Sequence, residues 1–288
     1  MDETYLIEIR LARTKWRVKE IISAIARVHN LTDLMERHPH LTLYGPLTLN
    51  VGTGEDLLLG TVERVASRYG PVPFTIGGFE KREGMHGSVV AFSVKPSVSL
   101  RALAKEIAGA VSPLSVSQNA WDAVHDHKWY HVTVANRLDR PAAAAVYDAL
   151  CPAREPCSGP APSGPGQAVP AWQDPGTGRI KPRISPLLID EAGLRITVMR
   201  GEEILAEYDL PGKRWITGSD IYDGRAWQET LALYRRSAGF ETAGRPAGDR
   251  KDIFFIGDLH LGHANIIRYC SRPFSPSDPG EMDRVLIA

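Results

Sequence analysis

His40-Leu41-Thr42-Leu43 and His131-Val132-Thr133-Val134 decide the reading of this chain. Each is a His-x-Thr interleaved with aliphatic residues. Side chains alternate faces along a strand, so residues two apart point the same way. In each segment the imidazole and hydroxyl therefore share one face and the aliphatics the other. Such a strand buries its aliphatics on a core and shows His and Thr to a cleft. Two of them place two imidazoles and two hydroxyls around one phosphate. That supplies a general acid, a general base and two hydrogen-bond donors, with no metal required. A lone His-x-Thr is weak, because a chain of 288 residues is expected to hold one by chance. Two copies in the same alternating context, far enough apart to leave a lobe between them, are a much stronger signal.

Working outward, Tyr5 to Leu11 alternates as a strand. Val18, Ile21, Ile22, Ile25 and Val28 recur at helical spacing within Trp16 to Val28. The first motif strand, His40 to Tyr44, is expected to stop at Gly45-Pro46. A helix follows over Asp56 to Tyr69, then a hairpin of Phe74 to Phe79 and Ser88 to Val94 around Glu83-Gly84. Ser99 to Val111 reads as a helix with Ser99 as its N-cap. The second motif strand spans Trp129 to Ala135, and Pro141 to Leu150 is a helix with Pro in its first turn. This order predicts an α+β fold. Its pseudo-duplicated antiparallel sheets form two lobes around a central cleft, with helices outside.

The expected domain is residues 1–152. A Pro/Gly-rich flexible insert follows at 153–186, too poor in large aliphatics to offset its ordering entropy. Residues 187–237 hold a hairpin, Leu194 to Met199 and Glu203 to Tyr208, and a helix over Tyr222 to Tyr234, which extend the first domain. A linker at 238–250 leads to a C-terminal α/β fragment at 251–288. There an apolar strand, Ile253 to Ile256, delivers Gly257-Asp258-Leu259-His260 at its end. An Asp and a His two apart at a strand end can reach one metal ion.

Composition excludes some classes. Lys plus Arg and Asp plus Glu are both 34, so global charge does not argue for a nucleic-acid binder. Any phosphate contact must come from a local patch. Cys151, Cys157 and Cys270 fit neither a disulfide framework nor zinc spacing, which points to a reducing cytoplasm. No signal peptide and no membrane span are read from the sequence.

The paired segments resemble the two signature motifs of the 2H phosphoesterase superfamily, which includes LigT-like 2′-5′ RNA ligases and cyclic phosphodiesterases. The resemblance covers about residues 1–150. It implies a bilobal fold and metal-independent attack at a 2′,3′-cyclic phosphate or 2′-5′ linkage of RNA ends or small cyclic nucleotides. It makes His40 and His131 the catalytic histidines and Thr42 and Thr133 the phosphate-binding hydroxyls. Many LigT-like members carry an Arg five residues after the second motif His; here that position is Asn136, with Arg137 next. The tail is similar to the first motif of calcineurin-like metallophosphoesterases. That likeness makes Asp258 and His260 metal ligands, for Mn, Fe, Zn or Mg, in a site left incomplete because the chain stops at Ala288.

Two alternatives accompany the metal-independent phosphodiesterase or ligase. One is metal-dependent phosphohydrolysis by a complete C-terminal domain. The other is a non-catalytic RNA- or nucleotide-binding module. Tyr44 and Lys128 adjoin motif residues and are candidate substrate contacts. His38, His86, His125 and His127 read as structural or surface residues, and Trp16, Trp121 and Trp129 as core. Oligomeric state is not readable from the sequence.

Overall fold

Alternation of apolar and polar residues builds ten strands into one antiparallel sheet. The computed structural model describes residues 3–12, 14–31, 38–84, 86–124, 127–151, 172–173, 180–181 and 188–237. Asp258, His260, His125, the 238–250 linker, the 251–288 fragment and most of the insert lie outside the described residues.

The elements run β1 (Thr4–Arg10), α1 (Lys15–Val28), β2 (His40–Leu49), α2 (Glu55–Ala66), β3 (Val72–Gly84) and β4 (Gly87–Pro96). Then come α3 (Val98–Val111), β5 (Ser115–Ser117), β6 (His131–Leu138) and α4 (Arg140–Leu150). Two short strands, β7 (Trp172–Gln173) and β8 (Ile180–Lys181), pair only with each other. The remainder is β9 (Ile189–Gly193), β10 (Arg195–Arg200), β11 (Glu203–Asp209), β12 (Arg214–Ile216) and α5 (Gly224–Ser237).

The large sheet has the order β12-β11-β10-β1-β2-β6-β4-β3-β9, with β5 beside the end of β2. The α+β class and antiparallel pairing are as expected. The two halves join at the motif strands, where β2 and β6 share a single register pair, Leu41↔Val132. Around that pair the strands splay, and the splay opens the cleft.

One face of the motif strands is core. Leu41, Leu43, Val132 and Val134 are buried, while His40, Thr42, His131 and Thr133 are half-buried on the other face. Each such aliphatic contributes about 1.5–3 kcal/mol by leaving water. Val18, Ile21, Ile22 and Ile25 bury one stripe of α1. α3 packs over β2, β3 and β4, and α4 over β3, β4 and β6. A buried carboxylate ties the halves together at α1. Glu191 of β9 accepts from the Thr14 backbone N–H at 2.9 Å and its hydroxyl at 2.6 Å, placing negative charge at the helix N-terminus. At the other edge, buried Arg195 holds α5 by donating to Glu207, Thr230 and the Ala226 carbonyl.

Four local expectations need correction. β2 does not stop at Gly45-Pro46. It continues to Leu49 through a cis Gly45-Pro46 peptide, with Gly45 at φ 102°. Ladder pairs lie on both sides, Ile7↔Tyr44 and Tyr5↔Leu47, so the interruption is a bulge. The N-cap of α3 is Ser97, whose hydroxyl accepts from the Leu100 N–H at 3.1 Å; Ser99 lies inside the helix. The tryptophans are not core: Trp16 is 76% and Trp121 45% exposed, and Trp129 is half-buried. Finally, Cys151 is disulfide-bonded. The cysteine argument for a reducing compartment falls away with it.

Candidate active site

The splay between β2 and β6 forms a cleft of about 450 Å³ lined by His40, Thr42, His131 and Thr133. Antiparallel register explains how they meet. Extending the Leu41↔Val132 pair by one residue each way sets His40 across from Thr133 and Thr42 across from His131. The two motifs are thus related by an approximate twofold through Leu41 and Val132. All four side chains line the same cleft.

The same device orients both rings. His40 Nδ1 lies 2.9 Å from the His38 carbonyl oxygen, and His131 Nδ1 lies 3.0 Å from that of Trp129. A carbonyl oxygen only accepts, so each Nδ1 carries the hydrogen and donates it to the residue two positions back. Each Nε2 takes no part in that anchoring bond. His38 therefore matters through its backbone, and its ring also lines the cleft.

The surroundings of the two rings differ. Glu8 lies on β1 opposite Thr42, with its side chain 3% exposed. One carboxylate oxygen is 3.5 Å from His40 Nδ1, and the other accepts from Arg10 at 3.1 Å. No carboxylate is paired with His131 among the described residues. The indole of Trp129 stacks on it instead, with centroids 3.9 Å apart and planes 16° from parallel. Burial holds the His131 imidazole well below its ordinary range, down to about 4. The Trp129 carbonyl opposes that shift, while the charges of His40, Lys128 and Arg82 add to it.

Lys128 lines the cleft, but its ammonium is 2.8 Å from Asp122 Oδ1 in a pair with side chains 5% and 2% exposed. Asp122 also accepts from the Gly45 N–H at 2.7 Å and the Ser117 hydroxyl at 2.8 Å. It therefore pins the bulge just beyond the first motif. Tyr44, the other candidate substrate contact, is 2% exposed and is not among the residues lining the cleft. Asn136 lines the cleft, whereas Arg137 is exposed at φ 58° and does not.

Glu8, Arg82, Asp122 and the stacking role of Trp129 were not read from the sequence. Glu8 carried a signal: in β1 it lies on the face opposite Ile7 and Ile9, so pairing β1 with β2 puts it on the histidine face. Among the described residues, no cluster of three or more His, Cys, Asp or Glu side chains is arranged to hold a metal ion. No described helix is long and apolar enough to cross a membrane.

A splayed antiparallel sheet presenting two His-x-Thr pairs to one cleft defines a 2H-type phosphoesterase or ligase scaffold. Residues 13–161 match the family model of the 2′-5′ RNA ligase superfamily, and the chain belongs to that superfamily. A stretch of 37 residues is 51% identical to the uncharacterized protein MJ1445 of Methanocaldococcus jannaschii. It covers 13% of this chain, and the chain spans only 20% of that relative's length.

Proposed function

We propose that this cleft opens 2′,3′-cyclic phosphates, or acts on 2′-5′ linkages, of RNA ends or nucleotides by two-histidine acid–base catalysis. The carrying observation is that both His-x-Thr motifs line one cleft, with both Nδ1 atoms anchored to backbone carbonyls. His131, neutral above about pH 4, takes the proton from the attacking water through Nε2. His40, with the Glu8 carboxylate beside its Nδ1, gives its Nε2 proton to the leaving ribose oxygen. Water oxygen bonds to phosphorus as the phosphorus–ribose bond breaks. Thr42 and Thr133 donate to the non-bridging oxygens, where negative charge builds. With a 5′-hydroxyl in place of water, the same step forms its bond to phosphorus as the phosphorus–ribose bond of the cyclic phosphate breaks, and the product is a ligated strand. No step in this scheme calls on a metal. The metal-dependent activity expected of Asp258 and His260 rests on the sequence alone.

The test is hydrolysis of 2′,3′-cyclic nucleotides and cyclic-phosphate RNA ends by the full chain, with and without EDTA. Wild type, His40→Ala and His131→Ala are compared. Turnover should survive EDTA and disappear in both variants. Turnover that either variant retains in full would overturn the mechanism. Ligand binding without turnover in the wild type would favour a binding module.

A further inference from the structure

Two neutral hydroxyls do not neutralise a phosphate whose charge rises as water adds. The cleft needs a cation that keeps its charge while His40 gives up its proton. Among the described residues its lining includes Arg82 and Lys128. Lys128 is spoken for, because its ammonium is buried against Asp122. Arg82 is placed differently. It lies on β3 opposite Val89, which also lines the cleft. Its neighbour Lys81 points to the other face, with Nζ 5.7 Å from the Tyr147 ring of α4.

The Arg82 guanidinium carbon sits 4.5 Å from the centre of the Trp129 ring, which in turn stacks on His131. Arg82 therefore reaches the cleft beside the second motif. Among the described residues its ionic partner is Glu80, at 3.2 Å, with the two side chains 43% and 35% exposed. An exposed pair of this kind holds its members weakly. Glu80 is itself fixed by accepting from the Ser93 hydroxyl at 2.6 Å, and Ser93 is the β4 partner of His131. Glu80 thus parks the guanidinium next to the site without closing it off. A guanidinium offers paired donors that match two phosphate oxygens, stays charged throughout the reaction and exchanges no proton.

We propose that Arg82 is the phosphate-binding cation of this cleft, leaving Glu80 to fork two non-bridging oxygens while Trp129 holds it on the His131 side. The proposal rests on the two-histidine reading of the same cleft and adds a residue to it. The proton transfers remain with the histidines, and Arg82 only stabilises the oxygens that gain charge.

The test compares Arg82→Gln, Arg82→Lys and the control Lys81→Gln on a 2′,3′-cyclic nucleotide, with inorganic phosphate titrated into each protein. Arg82→Gln should lower kcat/KM by about 100-fold or more. Arg82→Lys should fall between it and wild type, since an ammonium keeps charge but loses the fork. Lys81→Gln should stay within about twofold of wild type, because its side chain lies on the helix face. Phosphate should bind Arg82→Gln at least tenfold more weakly, as expected for loss of a charge-assisted contact. Unchanged turnover and unchanged phosphate binding in Arg82→Gln would overturn the proposal. Weaker phosphate binding alongside a wild type that turns nothing over would support Arg82 and sink the phosphodiesterase reading instead.

Discussion

Replacing Asp122 by alanine should be among the most damaging changes available in this molecule, although Asp122 belongs to no motif. Its carboxylate receives three donors: the Gly45 N–H, the Ser117 hydroxyl and the Lys128 ammonium. The Lys128 side chain is only 5% exposed, so Asp122→Ala leaves a buried ammonium without a counter-charge. Breaking a buried pair on one side costs about 3–5 kcal/mol. The orphaned Gly45 N–H adds about 1–3 kcal/mol. A loss of about 4 kcal/mol or more is expected against a total stability of about 5–15 kcal/mol for an ordinary domain. Urea unfolding followed by tryptophan fluorescence measures it. The attribution is tested by Asp122→Ala combined with Lys128→Met, which removes the stranded charge. The double variant should recover about 2 kcal/mol or more relative to the single one. If Asp122→Ala costs less than about 1 kcal/mol, or the double variant is no more stable than the single, the buried pair is not what holds this corner.

Three further outcomes follow from the site. The acid limb of the kcat/KM profile should fall with unit slope near pH 4, as the base His131 becomes protonated; a limb centred at the ordinary value of 6.5 would assign the base elsewhere. Because His131 is depressed in the folded state, its contribution to stability is fully present above 6.5 and is lost as pH falls toward about 4. Wild type should therefore lose about 2 kcal/mol more than His131→Asn between about pH 7.5 and about pH 5 by urea unfolding, and parallel curves would refute it. Trp121 lines the cleft with 45% of its surface exposed. If a base stacks there, Trp121→Ala should forfeit about 1–3 kcal/mol of binding, raising KM about tenfold or more with little change in kcat; an unchanged KM would remove the platform.

What the sequence disclosed is what local periodicity encodes. The motif strands, the α1 stripe of Val18, Ile21, Ile22 and Ile25, and the turn at Arg200-Gly201-Glu202 are set by residues a few positions apart. Misreadings arose where a local signal had a non-local answer. Gly45-Pro46 reads as a strand end because Pro brings no ladder donor. The strand continues because Asp122, 77 residues away, accepts the Gly45 N–H. β9, Ile189-Asp-Glu-Ala-Gly193, lacks strand composition and forms by completing the exposed edge of β3. Ser97 and Ser99 are both acceptable caps by type, and only the helix start at Val98 selects between them. In the candidate site, the duplicated His and Thr were legible because they are close in sequence. Glu8, Arg82 and Asp122 were not, because strand pairing and loop packing bring them in.

That division bears on how a duplicated motif places two histidines in unlike surroundings. The parts encoded within each copy are equivalent: a strand, a His-x-Thr, and a carbonyl two residues back that fixes the tautomer. Such symmetry alone would give two histidines with the same proton affinity, a poor arrangement for a reaction that needs one protonated and one neutral. The difference comes from neighbours outside the repeat. β1 brings Glu8 to His40, whereas the segment before β6 supplies an indole to His131 and β3 brings a guanidinium close by. Exchanging these surroundings should exchange the roles. Glu8→Gln removes the carboxylate from His40 without touching either motif. It should lower kcat, as the His40 ring loses the carboxylate 3.5 Å from its Nδ1, while the limb near pH 4 stays in place. A kcat that does not move would show that Glu8 serves only Arg10.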